Sequence, residues 1–201
     1  NFTSATDTYN TAVGNNAGTA VTTGVQNTLI GSFAGDALTD ADFNVAVGQG
    51  AVGSDTLGSR STGLGYGTLA NQNFTSATDT YNTAVGYEAG VAVTTGIKNT
   101  LIGSRSGDAL TDADGNVAIG DSALSSDTLG SKSIAIGDSA LYAQNFTSAT
   151  DTNNVAIGYS AGNAVTTGTN NVLIGVETGD AITDGNTNVA VGSRSLTTNQ
   201  R

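Results

Sequence analysis

The chain has 201 residues and a formal net charge of −11, and it contains no His, Cys, Met, Trp or Pro. Without His or Cys it lacks the usual imidazole base, thiol nucleophile and zinc ligands, so we predict no catalytic residues and no cofactor. The acidic balance argues against nucleic acid as a partner, because phosphate binding needs clustered Lys and Arg. No segment approaches the roughly 18 apolar residues of a membrane span, so we expect no membrane insertion.

The chain is built from repeats. The octapeptide NFTSATDT occurs at Asn1, Asn73 and Asn145, which defines 72-residue super-repeats starting at 1, 73 and 145. Self-similarity at a fixed period is typical of stacked repeat architectures. We therefore interpret residues 1–201 as one repetitive segment and as an excerpt of a longer fibre.

A shorter unit lies within each super-repeat. It consists of Asn or Ser, three mostly apolar residues and Gly, as in NTAVG, NTLIG and NVAIG. Successive glycines are 17 residues apart, or 21 where NFTSATDT intervenes. These glycines are Gly14, Gly31, Gly48, Gly65, Gly86, Gly103, Gly120, Gly137, Gly158, Gly175 and Gly192. A 17-residue unit is too short for a helical hairpin, and its Gly, Thr, Asn and Val disfavour helix. We predict an all-β, parallel β-solenoid of about eleven coils of 17 or 21 residues.

The first element of each coil is the strand before the glycine. The residue directly before each glycine is always Val, Ile or Leu, as in Val13 and Ile30, so we expect it to point into the coil. The residue two places earlier is Thr, Val or Ile and lies on the same face of the strand, and the residue between these two is mostly Ala. Both faces of the strand are therefore apolar. Such a strand needs a partner for its second face. We expect that partner to be another copy of the chain, and a homotrimer is the preferred assembly.

A second strand is expected later in each coil, in segments such as AVTT and ALTD that carry Val21, Leu38, Val93 and Leu110. The segments TDADFN at 39–44, TDADGN at 111–116 and TDGNTN at 183–188 suggest a calcium loop. Asp40, Asp42, Asp112 and Asp114 are the candidate ligands, but no Glu closes the loop. The favoured interpretation is therefore a turn with solvated carboxylates and no metal.

The NFTSATDT segment adds four residues to its coil and is expected to bulge outward. Outward loops at fixed spacing are where solenoids carry binding function. Phe74, Tyr81, Tyr142 and Phe146 are the candidate contacts for a cell-surface or matrix receptor or a glycan. The alternative, a packed corner in which Phe covers the neighbouring coil or chain, is the favoured interpretation.

The repeated motif resembles a known family. NVAIGYSAG at 154–162, NVAIGDSAL at 116–124 and SIAIGDSAL at 133–141 resemble the head repeats of trimeric autotransporter adhesins, and related units occur in bacteriophage tail fibres. The resemblance covers nearly the whole chain and implies a left-handed parallel β-roll with three chains side by side. The coils of this chain are longer than those of the adhesin heads.

Three functions follow from this interpretation. The leading one is a structural segment of an extracellular trimeric fibre or adhesin on a cell or virion surface, which forms a rigid rod and presents loops for attachment. The alternative is a self-polymerising extracellular filament subunit, since open solenoid ends expose unpaired backbone groups. Ice binding would need Thr in register on every coil. The Thr pairs at 22–23, 94–95 and 166–167 recur only once in four coils, which disfavours it.

Overall fold

The computed structural model describes residues 7–197, and within them the chain is all-β and contains no helix. Short parallel strands stack into a β-solenoid of about eleven coils, which confirms the predicted fold class. The strands are β1 (Thr11–Val13), β2 (Thr28–Ile30), β3 (Val45–Val47), β4 (Gly58–Ser59), β5 (Thr62–Leu64), β6 (Thr78–Asp79), β7 (Thr83–Val85), β8 (Thr100–Ile102), β9 (Val117–Ile119), β10 (Gly130–Ser131), β11 (Ile134–Ile136), β12 (Thr150–Asp151), β13 (Val155–Ile157), β14 (Val172–Ile174) and β15 (Val189–Val191). Within 7–197 the chain forms no helix long and apolar enough to cross a membrane.

The eleven three-residue strands form one parallel sheet in chain order. Each residue pairs with its equivalent in the next coil, so Ala12 lies beside Leu29 and Val13 beside Ile30. The spacing between successive strand glycines is therefore the register of the sheet. At about 4.8 Å per coil, the stack is roughly 50 Å long.

The prediction of a second strand in the AVTT and ALTD segments was wrong. The AVTT and ALTD segments form turns and bends, and the only other strands in residues 7–197 are two short pairs, β4 with β6 and β10 with β12. Leu38, Val93 and Leu110 in these segments are nevertheless fully buried. The apolar spacing correctly indicated inward side chains, but the backbone there forms turns, which bond to the next coil at isolated positions, as the Thr22 amide does to the Thr39 carbonyl at 2.9 Å.

The glycine after each long strand allows the coils to stack closely. Gly31 has φ +132°, and a Cβ placed on it would lie 2.6 Å from the carbonyl oxygen of Gly48 in the next coil. That distance is far inside van der Waals contact. A side chain at this position is therefore excluded by both the backbone conformation and the backbone of the next coil.

A ladder of buried side-chain amides runs beside the sheet. The residue before each long strand is Asn in nine of the eleven coils and Ser in the other two, Ser61 and Ser133. Asn44 illustrates the bonding: its Oδ1 accepts a hydrogen bond from the Ser61 amide at 2.8 Å, and its Nδ2 donates to the Gly58 carbonyl at 3.0 Å. Each such Asn therefore satisfies the backbone of its own coil and of the next one.

In the interior, large side chains lie opposite glycines. A Cβ on Gly18 or on Gly35 would lie 2.7 Å from a Leu29 methyl, so the two glycines make room for this leucine. The arrangement is reversed in the coil of β5, where Gly63 faces Thr68 and a Cβ on Gly63 would lie 2.7 Å from Thr68 Oγ1. Each large side chain is therefore matched by a small one.

A polar cluster interrupts the apolar interior once in each of the first two super-repeats. The column that carries Leu38 continues with Asp55 and Gln72, both fully buried. Asp127 and Gln144 occupy the equivalent places in the second super-repeat, where the two side chains are hydrogen-bonded at 2.6 Å. The same buried acid and amide therefore recur with the period of the super-repeat.

Both oxygens of the buried Asp55 carboxylate accept hydrogen bonds. Asp55 Oδ1 accepts hydrogen bonds from the backbone amides of Gly58 (3.1 Å) and Phe74 (3.0 Å), and its Oδ2 accepts one from Gln72 Nε2 (2.5 Å). Buried polar groups are tolerated here because each finds a partner. The cluster thereby ties the start of the inserted segment to the coil before it.

Candidate functional site: an exposed face of aliphatic and threonine side chains

The long strands present one side to the interior and the other to solvent. The central residue of each strand points inward, and Ala46, Ala84 and Ala118 are fully buried. The flanking residues point outward, which corrects the expectation that the residue before each glycine is interior. The buried Asn explains the phase. It lies two positions before the central residue, so the two share a face of the strand.

Two parallel rows of outward side chains result, one from the first and one from the third position of each strand. The third position is aliphatic in all eleven coils: Val13, Ile30, Val47, Leu64, Val85, Ile102, Ile119, Ile136, Ile157, Ile174 and Val191. The first position holds Thr, Val or Ile: Thr11, Thr28, Val45, Thr62, Thr83, Thr100, Val117, Ile134, Val155, Val172 and Val189. We call the row from the first strand position the first row and the row from the third strand position the third row. Together they form the outer face, which contains no charged residue.

The outer face is accessible on the isolated chain. Ile30, Leu64 and Ile102 are 37–38% exposed although each is flanked by equivalent side chains in the coils on either side. The rows are about 7 Å apart and roughly 50 Å long, which gives a strip of about 350 Å² between them. A continuous uncharged patch of that size is within the range of the largest patch on a monomeric soluble protein, and such patches are candidate interaction surfaces.

Aromatic and charged residues occupy the corners beside the outer face. The Tyr66 and Tyr87 rings stack with centroids 5.4 Å apart and an interplanar angle of 10°. On the other side, the Arg60 guanidinium lies 4.6 Å from the Phe43 ring centroid and pairs with Asp79 at 2.9 Å. Such exposed pairs order the corner side chains but add little stability.

The four calcium candidates act as caps between coils. Two of them accept hydrogen bonds from the backbone of the preceding coil. Asp42 Oδ1 accepts one from the Val25 amide at 2.8 Å, and Asp114 Oδ1 accepts one from the Ile97 amide at 2.7 Å. These carboxylates satisfy the adjacent coil, which accounts for their regular spacing.

The other two candidates bond to hydroxyl groups. Asp112 Oδ1 accepts a hydrogen bond from Thr95 Oγ1 at 2.6 Å, and Asp40 makes the equivalent bond with Thr23. In the described part of the chain, no three acidic residues come close enough to hold a metal ion. The arrangement of the four acids is thus that of a turn between coils.

The candidate receptor contacts divide into two groups. Phe74 and Phe146 are only 6% and 7% exposed, so these two side chains pack at the corner, as the alternative interpretation held, and offer no surface to a partner. Tyr81 and Tyr142 are about half exposed and stay candidates. Within the inserted segment, residues 75–77 are exposed, as are Asn73 and Asp79.

A column of threonine residues was not predicted from the sequence, because only the Thr pairs were compared between coils. The eighth residue after the strand glycine is Thr in the 17-residue coils and Asn in the 21-residue coils, in the order Thr22, Thr39, Thr56, Asn73, Thr94, Thr111, Thr128, Asn145, Thr166 and Thr183. The hydroxyls bond to the next coil, as Thr39 Oγ1 does to the Thr56 carbonyl at 3.0 Å. Aligning the coils on their glycines would have revealed the column. Because its hydroxyls are used in stacking, it is a structural feature.

Comparisons with known proteins give no guide to this surface. No protein-family model, no curated protein and no solved structure matches the chain.

Proposed function

We propose that this chain is a structural segment of an extracellular trimeric fibre or adhesin, in which copies associate through the outer face. The observation that carries the proposal is the third row of that face. It is aliphatic in every coil and lies on the surface of the single chain, where aliphatic side chains gain nothing from water.

The chemistry of the outer face favours contact with a protein surface that is also uncharged. Covering the face would bury no ion, so the association carries no penalty for stripping water from charged groups. The net charge of −11 resides elsewhere on the coils. Copies would therefore repel one another through their other surfaces and attract through this one.

The spacing of the outer face favours a second copy as the partner. Its side chains repeat at the roughly 4.8 Å separation of parallel strands. Only another ladder with that repeat can place its side chains between these rows along the full length of the rod. A copy of the same chain has such a ladder by construction. The number of copies, three, comes from the resemblance to trimeric adhesin heads, since the geometry of one chain does not determine how many copies associate.

In this proposal the segment provides length and rigidity and presents its corners to the surroundings. Every coil is tied to the next by the sheet, and most are tied also by the Asn ladder and the Thr column. Bending the rod would break several of these bonds at once. The corner residues vary from coil to coil without disturbing the ladders, so the corners can carry attachment functions.

The test is the mass of the purified segment in solution by multi-angle light scattering. We expect three times the chain mass of 19.8 kDa. A monodisperse monomer would refute association through the outer face. Large polydisperse species would refute the discrete trimer and favour the self-polymerising filament.

A pair of variants links the mass to the outer face. We expect Ile119→Lys combined with Ile157→Lys to give a folded monomer, because two cations in the third row cannot be buried against a copy of themselves. The matched control is Val117→Thr with Val155→Thr, which introduces the residue that five other coils carry in the first row and should leave the mass unchanged. Circular dichroism of both variants checks the fold.

A further inference from the structure

A notch opens at one corner of the first super-repeat. The second residue after the strand glycine carries a side chain in most coils, as Phe33, Glu88 and Arg105 do, but it is glycine in two successive coils, at Gly50 and Gly67. The missing side chains leave a shallow cavity of about 190 Å³ on the surface. None of the residues that line it belongs to the outer face.

The lining combines an aromatic ring, small apolar groups and hydrogen-bonding groups. Tyr66, Ala70 and Val91 provide the apolar part, and Gln49 and Glu88 provide an amide and a carboxylate. An exposed tyrosine ring offers a flat surface for the C–H face of a sugar ring, while the amide and carboxylate can bond to hydroxyl groups. The volume is below the roughly 300 Å³ of a typical small-molecule pocket, which suits a single ring.

The side chains around the notch are held in place before any ligand arrives. The Tyr66 ring stacks on the Tyr87 ring at 5.4 Å. The Arg105 guanidinium lies 5.9 Å from the Tyr87 ring centroid and 3.5 Å from the Glu88 carboxylate. A preformed arrangement of this kind loses less entropy when it binds a ligand.

The charges near the notch select against an anion. Glu88 in its wall is paired with Arg105, and the lining itself contains no Lys or Arg. The chain as a whole carries −11, so an acidic sugar or a phosphate would find no cationic partner in the notch and would be repelled by the overall charge. We infer that the notch formed by Gly50, Gly67 and Tyr66 is a binding subsite for a neutral pyranose unit. The site goes beyond the proposed assembly and does not depend on it.

The second super-repeat provides an internal control. The positions one super-repeat after those that line the notch hold Asp121, Ser122, Asp138, Ser139, Tyr142, Ser160 and Asn163. All of them differ from the lining residues, and the two glycines are replaced by serines. The same place in the second super-repeat therefore has neither the gap left by two glycines nor an aromatic ring at the position of Tyr66.

The experiment is saturation-transfer difference NMR on the whole 201-residue chain. The probes are methyl β-D-glucopyranoside, methyl β-D-galactopyranoside and methyl α-D-mannopyranoside, with N-acetylneuraminic acid as an anionic probe. We expect signal from at least one neutral sugar and none from the anionic one. No signal from any neutral sugar, or a stronger signal from the anionic probe, would overturn the inference.

A notch-filling variant localises the binding. Gly50→Ser with Gly67→Ser introduces the residues that the second super-repeat carries, where Ser122 and Ser139 have φ of 52° and 57°. A Cβ on Gly50 meets nothing within 4 Å and one on Gly67 lies 3.5 Å from Glu88 Cγ, so the variant should fold. Its sugar signal should fall by about ten-fold.

The matched control is Ser122→Gly with Ser139→Gly, which should keep the full sugar signal. Equal signals from the notch-filling variant and the unaltered chain would overturn the inference. Light scattering on the same samples reports the assembly separately, so the failure of one proposal is distinguishable from the failure of the other.

Discussion

The first super-repeat (1–72) and the second (73–144) have nearly the same interior and very different corners. The buried Leu29, Asp55 and Gln72 recur unchanged as Leu101, Asp127 and Gln144. Exposed corner residues change in kind, as Tyr66 does to Asp138. The interior is constrained because each side chain touches the coils on both sides, whereas a corner side chain has few neighbours to satisfy.

The third row of the outer face behaves like an interior position in this comparison. Its residues Val13, Ile30, Val47 and Leu64 become Val85, Ile102, Ile119 and Ile136 in the second super-repeat. The changes remain within aliphatic residues although the positions are exposed on one chain. Burial against another copy would produce this pattern, in which residues on the surface of one chain change only to other aliphatic residues.

The largest effect should come from breaking the polar cluster that both super-repeats share. Asp127→Ala leaves the amides of Gly130 and Phe146 without their acceptor and removes one of the two acceptors of Gln144 Nε2, the other being Ser133 Oγ. We expect a loss of about 3 kcal/mol or more of stability, measured from guanidinium denaturation. Asp55→Ala should cost about the same, since its contacts are the same.

The control for that prediction is Asp138→Ala, which removes an exposed carboxylate and should change stability by less than about 0.5 kcal/mol. If Asp127→Ala and Asp138→Ala had equal effects, the polar cluster would not be what holds the inserted corner.

An intermediate effect should come from exchanging interior pairs between the super-repeats. Gly63 with Thr68 in the first corresponds to Ala135 with Ala140 in the second. Gly63→Ala alone forces a methyl against Thr68 Oγ1 and should cost ~1–3 kcal/mol. Adding Thr68→Ala recreates the second pair and should recover most of that loss.

A double-mutant cycle on denaturation midpoints measures this coupling. Additive effects of the two substitutions would show that the two residues do not compensate each other, and that the match in the second super-repeat is coincidental.

The smallest effect concerns Asp108, which occupies in the second super-repeat the position of Asp36 in the first. Burial raises the pKa of the Asp108 carboxyl above its usual range, and its Oδ1 has no hydrogen-bond partner among the described residues. The folded state therefore favours the protonated acid. The stability that protonation provides is complete at acid pH and is lost as the pH rises through the raised pKa.

We expect Asp108→Asn to raise the thermal midpoint slightly at pH 7, because the amide carries no charge. The gain should vanish near ~pH 3, where the acid is protonated in both states. A gain of equal size at both pH values would mean that the charge of Asp108 is not the cause.

Much of the fold was predictable from the spacing of a few residues. The eleven glycines fixed the number of coils, and the glycine spacings of 17 and 21 are the register of the parallel sheet. The buried Asp and Gln could have been found by aligning coils, because they occupy a column that is otherwise Val, Leu or Ile. The packed corner at Phe74 and Phe146 was proposed from the sequence, but the coil alignment could not decide between it and an exposed loop, since an inserted segment has no equivalent in the neighbouring coils for comparison.

The sequence by itself determined the parallel stack, because identical residues at a fixed period can only pair with one another when the chain turns once per repeat. The tertiary structure alone decided which face of each strand is interior. A strand with apolar residues at all three positions has no polar side to set its phase. The buried Asn before the strand sets it through bonds to two coils, which place Ala46 inside and Val47 on the surface. The outer face, the candidate interface, is on the surface because the buried Asn sets this orientation of the strand.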